Sequence, residues 1–223
     1  MLNDEADVVG LKGIGIKIVE NCDCLPLAVK VLGGVLRRKS RTRDAWMDIC
    51  NNYSWSAEGI DGDINRAVYL SYEDLPSHLK QCFVYCSLFP EDKLIRMGTI
   101  VQLWIALGYI HNKMSSKALE DLGEEYYNEL LSRNLLEPNK TAYGQTACIM
   151  HDVIRSCAQY IIKDEGVLIS EREDATKTLD STPKLRHLCI SNKTVTIIDT
   201  LQKQASLRTF IERPFLPKST ISV

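Results

Sequence analysis

No stretch of this 223-residue sequence is apolar for long enough to cross a bilayer. The longest near-apolar run, Leu25 to Leu36, is interrupted by Lys30 and falls well short of the ~20 residues a spanning helix needs. Charge of one sign is not in excess either. With 27 Lys and Arg against 29 Asp and Glu, the formal charge is −2, so bulk composition draws the chain to neither nucleic acid nor an anionic membrane. Glycine and proline are scarce, 12 and 7 residues, which excludes a collagen-like or linker-dominated chain. The opening residues, Met1 to Asp7, are acidic and fit neither a secretory leader nor a transit peptide. No G-x-S-x-G or H-E-x-x-H occurs, and the four histidines stand in unrelated contexts, so no nucleophilic or zinc-hydrolase constellation is assembled. What remains is an ordinary globular composition, 45% hydrophobic and 25% charged, sized for one or two domains. The eight cysteines are scattered through apolar helical patterns, which predicts reduced core thiols in a cytoplasmic protein rather than a disulfide framework.

The first forty residues read as two helices. Leu11, Ile14, Ile18 and Cys22 recur at helical spacing. Pro26 suits a first helical position, where its missing N–H costs nothing. The following Leu27, Ala28, Val31, Leu32, Val35 and Leu36 cover most faces of a buried helix, with Gly33 and Gly34 permitting close approach of a neighbour. Arg37, Arg38, Lys39, Arg41 and Arg43 follow at its dipole-negative end. A short third helix carries Trp46, Ile49 and Cys50, and residues 51–62 read as a loop.

From Asp63 to Lys163 the pattern is more regular. A helix around Ile64 to Tyr72 precedes one opened by Pro76, in which Leu79, Cys82, Phe83 and Cys86 form one stripe before Pro90 stops it. Ile100, Leu103, Trp104 and Leu107 predict the next, with Gly108 as its C-cap. A longer helix from about Ser115 to Arg133 turns Leu119, Leu122, Tyr126 and Leu130 inward. Leu135 and Leu136, a polar stretch with Gly144, and Cys148 to Met150 read as a hairpin, followed by a helix from Asp152 to Ile162. This is the element order of a winged helix. Further on, an L-x-x-L-x-I pattern at Leu185, Leu188 and Ile190 recurs 22 residues later at Leu207, Phe210 and, in its last place, Glu212, inside the leucine-rich-repeat period. Two such units are fewer than a solenoid needs, so the tail is expected to pack loosely unless a partner covers it.

Taken together these segments resemble the NB-ARC domain of plant disease-resistance proteins of the coiled-coil class. Cys24-Leu-Pro-Leu-Ala28 is similar to its GLPLA motif, the block from Leu70 through Phe83 to Asp92 to its block D, Leu103 to Ile110 to its LWIAEGFI segment, and Met150-His151-Asp152 to its MHD motif. The resemblance implies a mainly α fold: a helical, ARC1-like bundle over 1–60, a winged-helix, ARC2-like domain with a short hairpin wing over 61–165, and a linker with the first leucine-rich repeats over 166–223. It implies the regulatory half of an ADP/ATP-dependent switch in plant defence. Pro26 would lie against the adenine, His151 would approach the β-phosphate, and Met150 and Asp152 would support the switch, Asp152 as N-cap. The implied partners are other segments or full-length members of the same receptor class, and pathogen effectors or guarded host proteins. A stand-alone interaction regulator, or a truncated product without function, is the alternative.

The family's P-loop is expected upstream of this segment. The nearest internal lookalike, Gly33 to Ser40, has Arg38 where the second glycine is required and lies within a predicted helix, so no catalysis and no tight nucleotide binding are expected of the chain alone. Cys24 replaces the motif's glycine. The spacings Cys22-x-Cys24, Cys82-x₃-Cys86 and Cys148-x₂-His151 invite a zinc reading, but zinc needs four convergent ligands, and Cys82 and Cys86, which share an apolar stripe with Leu79 and Phe83, are read as core packing. DNA binding through the winged helix is disfavoured, because the helix from Ser115 to Arg133 carries Glu120, Asp121, Glu124, Glu125 and Glu129 against Lys117 and Arg133. That acidic helix and the basic stretch Arg37 to Arg43 are either solvated faces or contacts for another molecule.

Overall fold

Leu11, Ile14, Ile18 and Cys22 repeat at three- and four-residue steps, and this apolar line sets the first element. In a computed structural model that describes residues 5–51, 55, 64–90, 94–111, 117–140, 146–169, 179, 184–190 and 205–212, all four are buried along α1 (Glu5–Asn21) and its exit turn. The turn closes as a Schellman motif: the Cys24 N–H donates to the Val19 carbonyl at 3.2 Å and the Asp23 N–H to the Glu20 carbonyl at 2.9 Å. Asp23 and Cys24 both adopt left-handed backbone, φ 53° and 55°. The glycine that Cys24 replaces would take that conformation at no steric cost. Pro26 then opens α2 (Pro26–Leu36).

α2 buries Ala28, Val31, Leu32, Gly34 and Val35. Of its two glycines only Gly34 meets a neighbour: a Cβ there would lie 2.8 Å from the Arg133 carbonyl oxygen, whereas one at Gly33 would meet open space. α3 (Arg43–Cys50) starts at Thr42, whose hydroxyl accepts from the Ala45 N–H, and buries Ile49 while Trp46 and Cys50 stay half-exposed. α4 (Arg66–Glu73), capped by the Asn65 side chain, serves two cores. Ala67 and Leu70 pack with α1–α3, and Val68 joins the larger cluster that follows.

That cluster is built on α5 (Ser77–Cys86), whose stripe of Leu79, Cys82, Phe83 and Cys86 is wholly inaccessible. Around it lie β1 (Ile95–Arg96), α6 (Met97–Ala106), α7 (Leu119–Ser132), β2 (Glu137–Lys140), β3 (Thr146–Ile149) and α8 (Asp152–Ile162). The expected hairpin is β2–β3, with Glu137 opposite Ile149; β1 joins its other side, placing Ile95 opposite Cys148. Gly144 and Ser115 lie outside the described residues.

One expectation is corrected here. In α7 the fully buried line runs through Gly123, Tyr127 and Leu130, not through Leu119, Leu122 and Tyr126, which are half-buried. A Cβ at Gly123 would stand 2.4 Å from Val101 Cγ1 and 2.8 Å from Ile110 Cδ1, so the glycine is where α7 approaches α6 and its surroundings most closely. Of the tail, residues 166–169, 179, 184–190 and 205–212 are described, and Phe210 near its far end is 45% exposed. β4 (Gly166–Ile169), β5 (His187–Ile190) and β6 (Thr209–Glu212) form a parallel sheet in which every residue of β5 is buried. The two expected strands are preceded by β4, which pairs Gly166 with His187, while His187 pairs in turn with Thr209. β5 is thereby hydrogen-bonded on both sides. Its Cys189 packs in the same core as α5 and α8, and Leu188 and Ile190 pack with Ile169, Leu179 and Leu185.

Candidate functional site

Met150, His151 and Asp152 connect β3 to α8. Met150 is buried, and His151 is the N-cap residue, with extended backbone at φ −62° and ψ 146°. Its ring makes no capping bond; Nδ1 pairs with Oδ1 of Asp152. Asp152 is therefore not the N-cap that its motif position suggested. It is the first helical residue, and its carboxylate accepts from the Val153 N–H at 2.7 Å, placing negative charge where the helix dipole favours it. The His151 side chain is 45% exposed and so free to meet another group.

The turn is fixed from below by Arg155, a residue that the sequence patterns do not single out. Its guanidinium is buried and donates to the Phe89 carbonyl, with longer bonds of 3.4 Å to the carbonyls of Ser87 and Met150. A single side chain thus ties the start of α8 to the exit of α5. Its position three residues before Ala158 and seven before Ile162, both buried, is the signal that places it inward.

Pro26 is exposed at the start of α2. A cleft of about 630 Å³ opens beside it, lined by Glu20, Asn21, Asp23, Leu25, Trp55, residues 64–67 and Val153. Leu25 and Val153, the immediate neighbours of Pro26 and Asp152, therefore meet in one cleft, although Pro26 and His151 are not among its lining residues. Leu25 is 46% exposed and with Trp55 and Ile64 offers apolar surface suited to a base. The opposite chemistry is thin. Among the described residues Arg66 is the one cation of the lining, it donates to the Trp55 carbonyl, and Glu20 and Asp23 oppose it. These residues fit the base end of a nucleotide and do not form a phosphate cradle.

A second group of charges lies where α2 meets α7. Arg133, buried, donates to Asp74 Oδ2 at 3.2 Å and twice to Glu129 Oε1, at 3.1 and 2.8 Å. Lys39 pairs with Asp74 at 2.6 Å, and Arg38 reaches Ser132 Oγ at 2.6 Å and Glu129 at 4.0 Å. Asn134 adds a bond to the Lys30 carbonyl at 3.1 Å. Part of the basic stretch and part of the acidic helix thus meet each other within the chain, while Glu120, Asp121, Glu124 and Glu125 remain exposed.

The stripe thiols follow the packing reading, whereas Cys24 is exposed and Cys50 half-buried. Cys82, Cys86 and Cys148 are fully buried, and burial raises the Cys148 thiol to about 11 and the Cys157 thiol to about 12. Such thiols are poor nucleophiles and poor metal ligands. Among the described residues no group of three or more His, Cys, Asp or Glu is placed to hold a metal ion, and no helix is long and apolar enough to cross a membrane.

Residues 88–158, from the exit of α5 to the middle of α8, match the family described as the disease resistance protein winged helix domain. The chain shares this winged helix with plant disease-resistance proteins. It is 40% identical over 172 residues to the disease resistance RPP13-like protein 1 of Arabidopsis thaliana, covering 77% of this chain and 15% of that protein. With the disease resistance protein RGA2 of Solanum bulbocastanum it shares 37% identity over 148 residues, 66% of this chain and 15% of the relative. The chain therefore spans about 15% of the length of these relatives.

Proposed function

We propose that this chain is the regulatory, winged-helix-bearing segment of a plant immune receptor, in which residues 1–60 form the ARC1-like bundle, 61–165 the ARC2-like domain and 166–223 a linker and the first leucine-rich repeats. The observation that carries this reading is the cleft that gathers the neighbours of both motif residues, Leu25 beside Pro26 and Val153 beside Asp152, on a chain whose central part matches the disease-resistance winged helix. In this reading Pro26 and the adjoining Leu25 face the base of ADP, and His151, exposed at the start of α8, faces its phosphates. The helix N-terminus adds free N–H groups and a favourable dipole there. Met150, buried, and Asp152, bonded to Val153, hold that histidine in position.

Within residues 1–223 there is no G-x-x-x-x-G-K-[ST], and among the described residues Arg66 alone opposes two carboxylates in the cleft. The chain by itself therefore binds ADP weakly and hydrolyses no ATP. Calorimetry of purified 1–223 with ADP should show no binding in the micromolar range, and micromolar affinity would overturn this part of the reading. In a full-length receptor carrying this segment, His151→Ala removes a contact that favours the ADP-bound form and so shifts the population toward the active one. Resting cell-death activity should rise; unchanged resting activity would refute the assignment of His151. Partners in this reading are other segments and copies of the same receptor class, and pathogen effectors or guarded host proteins.

A further inference from the structure

The parallel sheet stacks equivalent residues at its leading edge. The N–H groups of Arg186 and His187 both donate to the Glu165 carbonyl, at 2.7 and 2.9 Å, and those of Arg208 and Thr209 to the Arg186 carbonyl, at 2.8 and 3.0 Å. Glu165, Arg186 and Arg208 are thus successive occupants of one position, spaced by about 4.8 Å. Two like charges on adjacent strands repel. Among the described residues Arg186 has a long, solvent-exposed pair with Glu165 at 3.7 Å, and Arg208 has no ion pair.

Both arginines line a cleft of about 170 Å³ that also takes in Gln81, Gly108, Tyr109, Glu165 and His187. His187 is 3% exposed and already engaged on both ring nitrogens, with the Tyr109 hydroxyl at 2.9 Å and Thr209 Oγ1 at 3.2 Å, so it is a fixed wall. Burial first, and then the charges of Arg186 and Arg208, hold its proton affinity down to about 4. Gly108, with φ 71°, turns the backbone past the same cleft.

We propose that Arg186 and Arg208, together with this cleft, bind a phosphate-bearing anion. A guanidinium fork matches phosphate oxygens two at a time. An anion between the two forks replaces their mutual repulsion with attraction. Glu165 lines the same cleft and offsets one of the two positive charges. The volume lies below the ~300 Å³ at which pockets begin to enclose whole drug-sized ligands, so a phosphate group enters and the remainder of its carrier stays outside. No residue is shared with the lining of the cleft beside Pro26, and the inference does not depend on that cleft's function.

The test uses the full 223-residue chain and inorganic phosphate at neutral pH, with chloride added to hold ionic strength constant, following the His187 ring protons by NMR. A saturable shift of the His187 signals is expected with phosphate and not with chloride. Arg208→Gln and Arg186→Gln, both exposed positions, should each weaken it by about tenfold. Glu165→Gln should tighten it, and His151→Ala should leave it unchanged. An equal response to chloride, or half-saturation of Arg208→Gln at the wild-type concentration, would overturn the proposal. Loss of the response in His151→Ala would likewise overturn it, because the anion would then sit at the start of α8.

Discussion

Removing the Asp74 carboxylate probes the charged seam between α2 and α7. In Asp74→Ala the Arg133 guanidinium, 7% exposed, loses its bond to a carboxylate that is itself only 16% exposed. Deleting one partner of a buried ion pair costs about 3–5 kcal/mol. Two features reduce that figure: Arg133 keeps both bonds to Glu129, and Glu129 is 33% exposed, so water reaches the remaining pair. The Lys39 pair is lost too, but Lys39 is 41% exposed, and such pairs contribute about 0.2–1 kcal/mol. The net expectation is a loss of about 2–3 kcal/mol. Urea unfolding followed by circular dichroism reads this as a fall in midpoint of about 1 M at an m-value near 2 kcal/mol/M. Asp74→Asn, which keeps an acceptor oxygen, should fall between. Arg133→Met combined with Asp74→Ala should cost less than the sum of the single changes by about 1–2 kcal/mol, since the double variant buries no uncompensated charge. A loss below about 0.5 kcal/mol for Asp74→Ala, or additivity within about 0.3 kcal/mol, would refute the reasoning.

Two further outcomes follow from individual residues. Cys24→Gly relieves a left-handed conformation that costs a side-chain-bearing residue about 1–2 kcal/mol, against about 0.5–1 kcal/mol for glycine's greater freedom in the unfolded chain, so a gain of about 0.5–1 kcal/mol is expected in thermal unfolding. A loss of stability would show that the Cys24 side chain contributes more than its backbone costs. His187 titrates near 4 in the folded chain and near 6.5 when free, so the unfolded chain binds a proton that the native one refuses between these values. Its contribution is fully present above pH 6.5 and falls as pH drops toward 4, by up to about 3 kcal/mol. His187→Gln should flatten the stability profile in that window, and equal slopes for both proteins would contradict the assignment.

The fold is legible in the sequence wherever one apolar stripe is also the buried face, as in Leu79, Cys82, Phe83 and Cys86. It is less legible where closeness rather than hydrophobicity sets the packing. In α7 the decisive residue is Gly123, which carries no apolar signal and therefore shifts the apparent stripe onto its neighbours. Arg133 and Arg155 are missed for the complementary reason: a buried charge reads as surface until its carbonyl and carboxylate partners are known. β4 escapes because four residues beginning with glycine lack the leucine spacing that marks β5 and β6. At the candidate site, the exposed start of α8 is readable from the motif order. The cleft is not, since it draws on residues 20–25, 64–67 and 153, which only the tertiary fold brings together. The offset of Asp152 from N-cap to first helical position depends on the backbone of His151, which no residue type specifies.

Between α8 and β4 there is no linker in the mechanical sense. The Glu165 N–H closes back onto the Ile162 carbonyl at 2.8 Å, and Gly166 sits so near Ile162 and Leu88 that a Cβ would come within 2.9 Å of one and 3.1 Å of the other. With Cys189 packed in the winged-helix core, the sheet behaves as a pointer bolted to the helix. A small rotation of α8 sweeps each successive strand, about 4.8 Å further out, through a proportionally longer arc. Any strands added beyond β6 would report the orientation of the winged helix with increasing leverage, without a signal having to pass through a flexible joint.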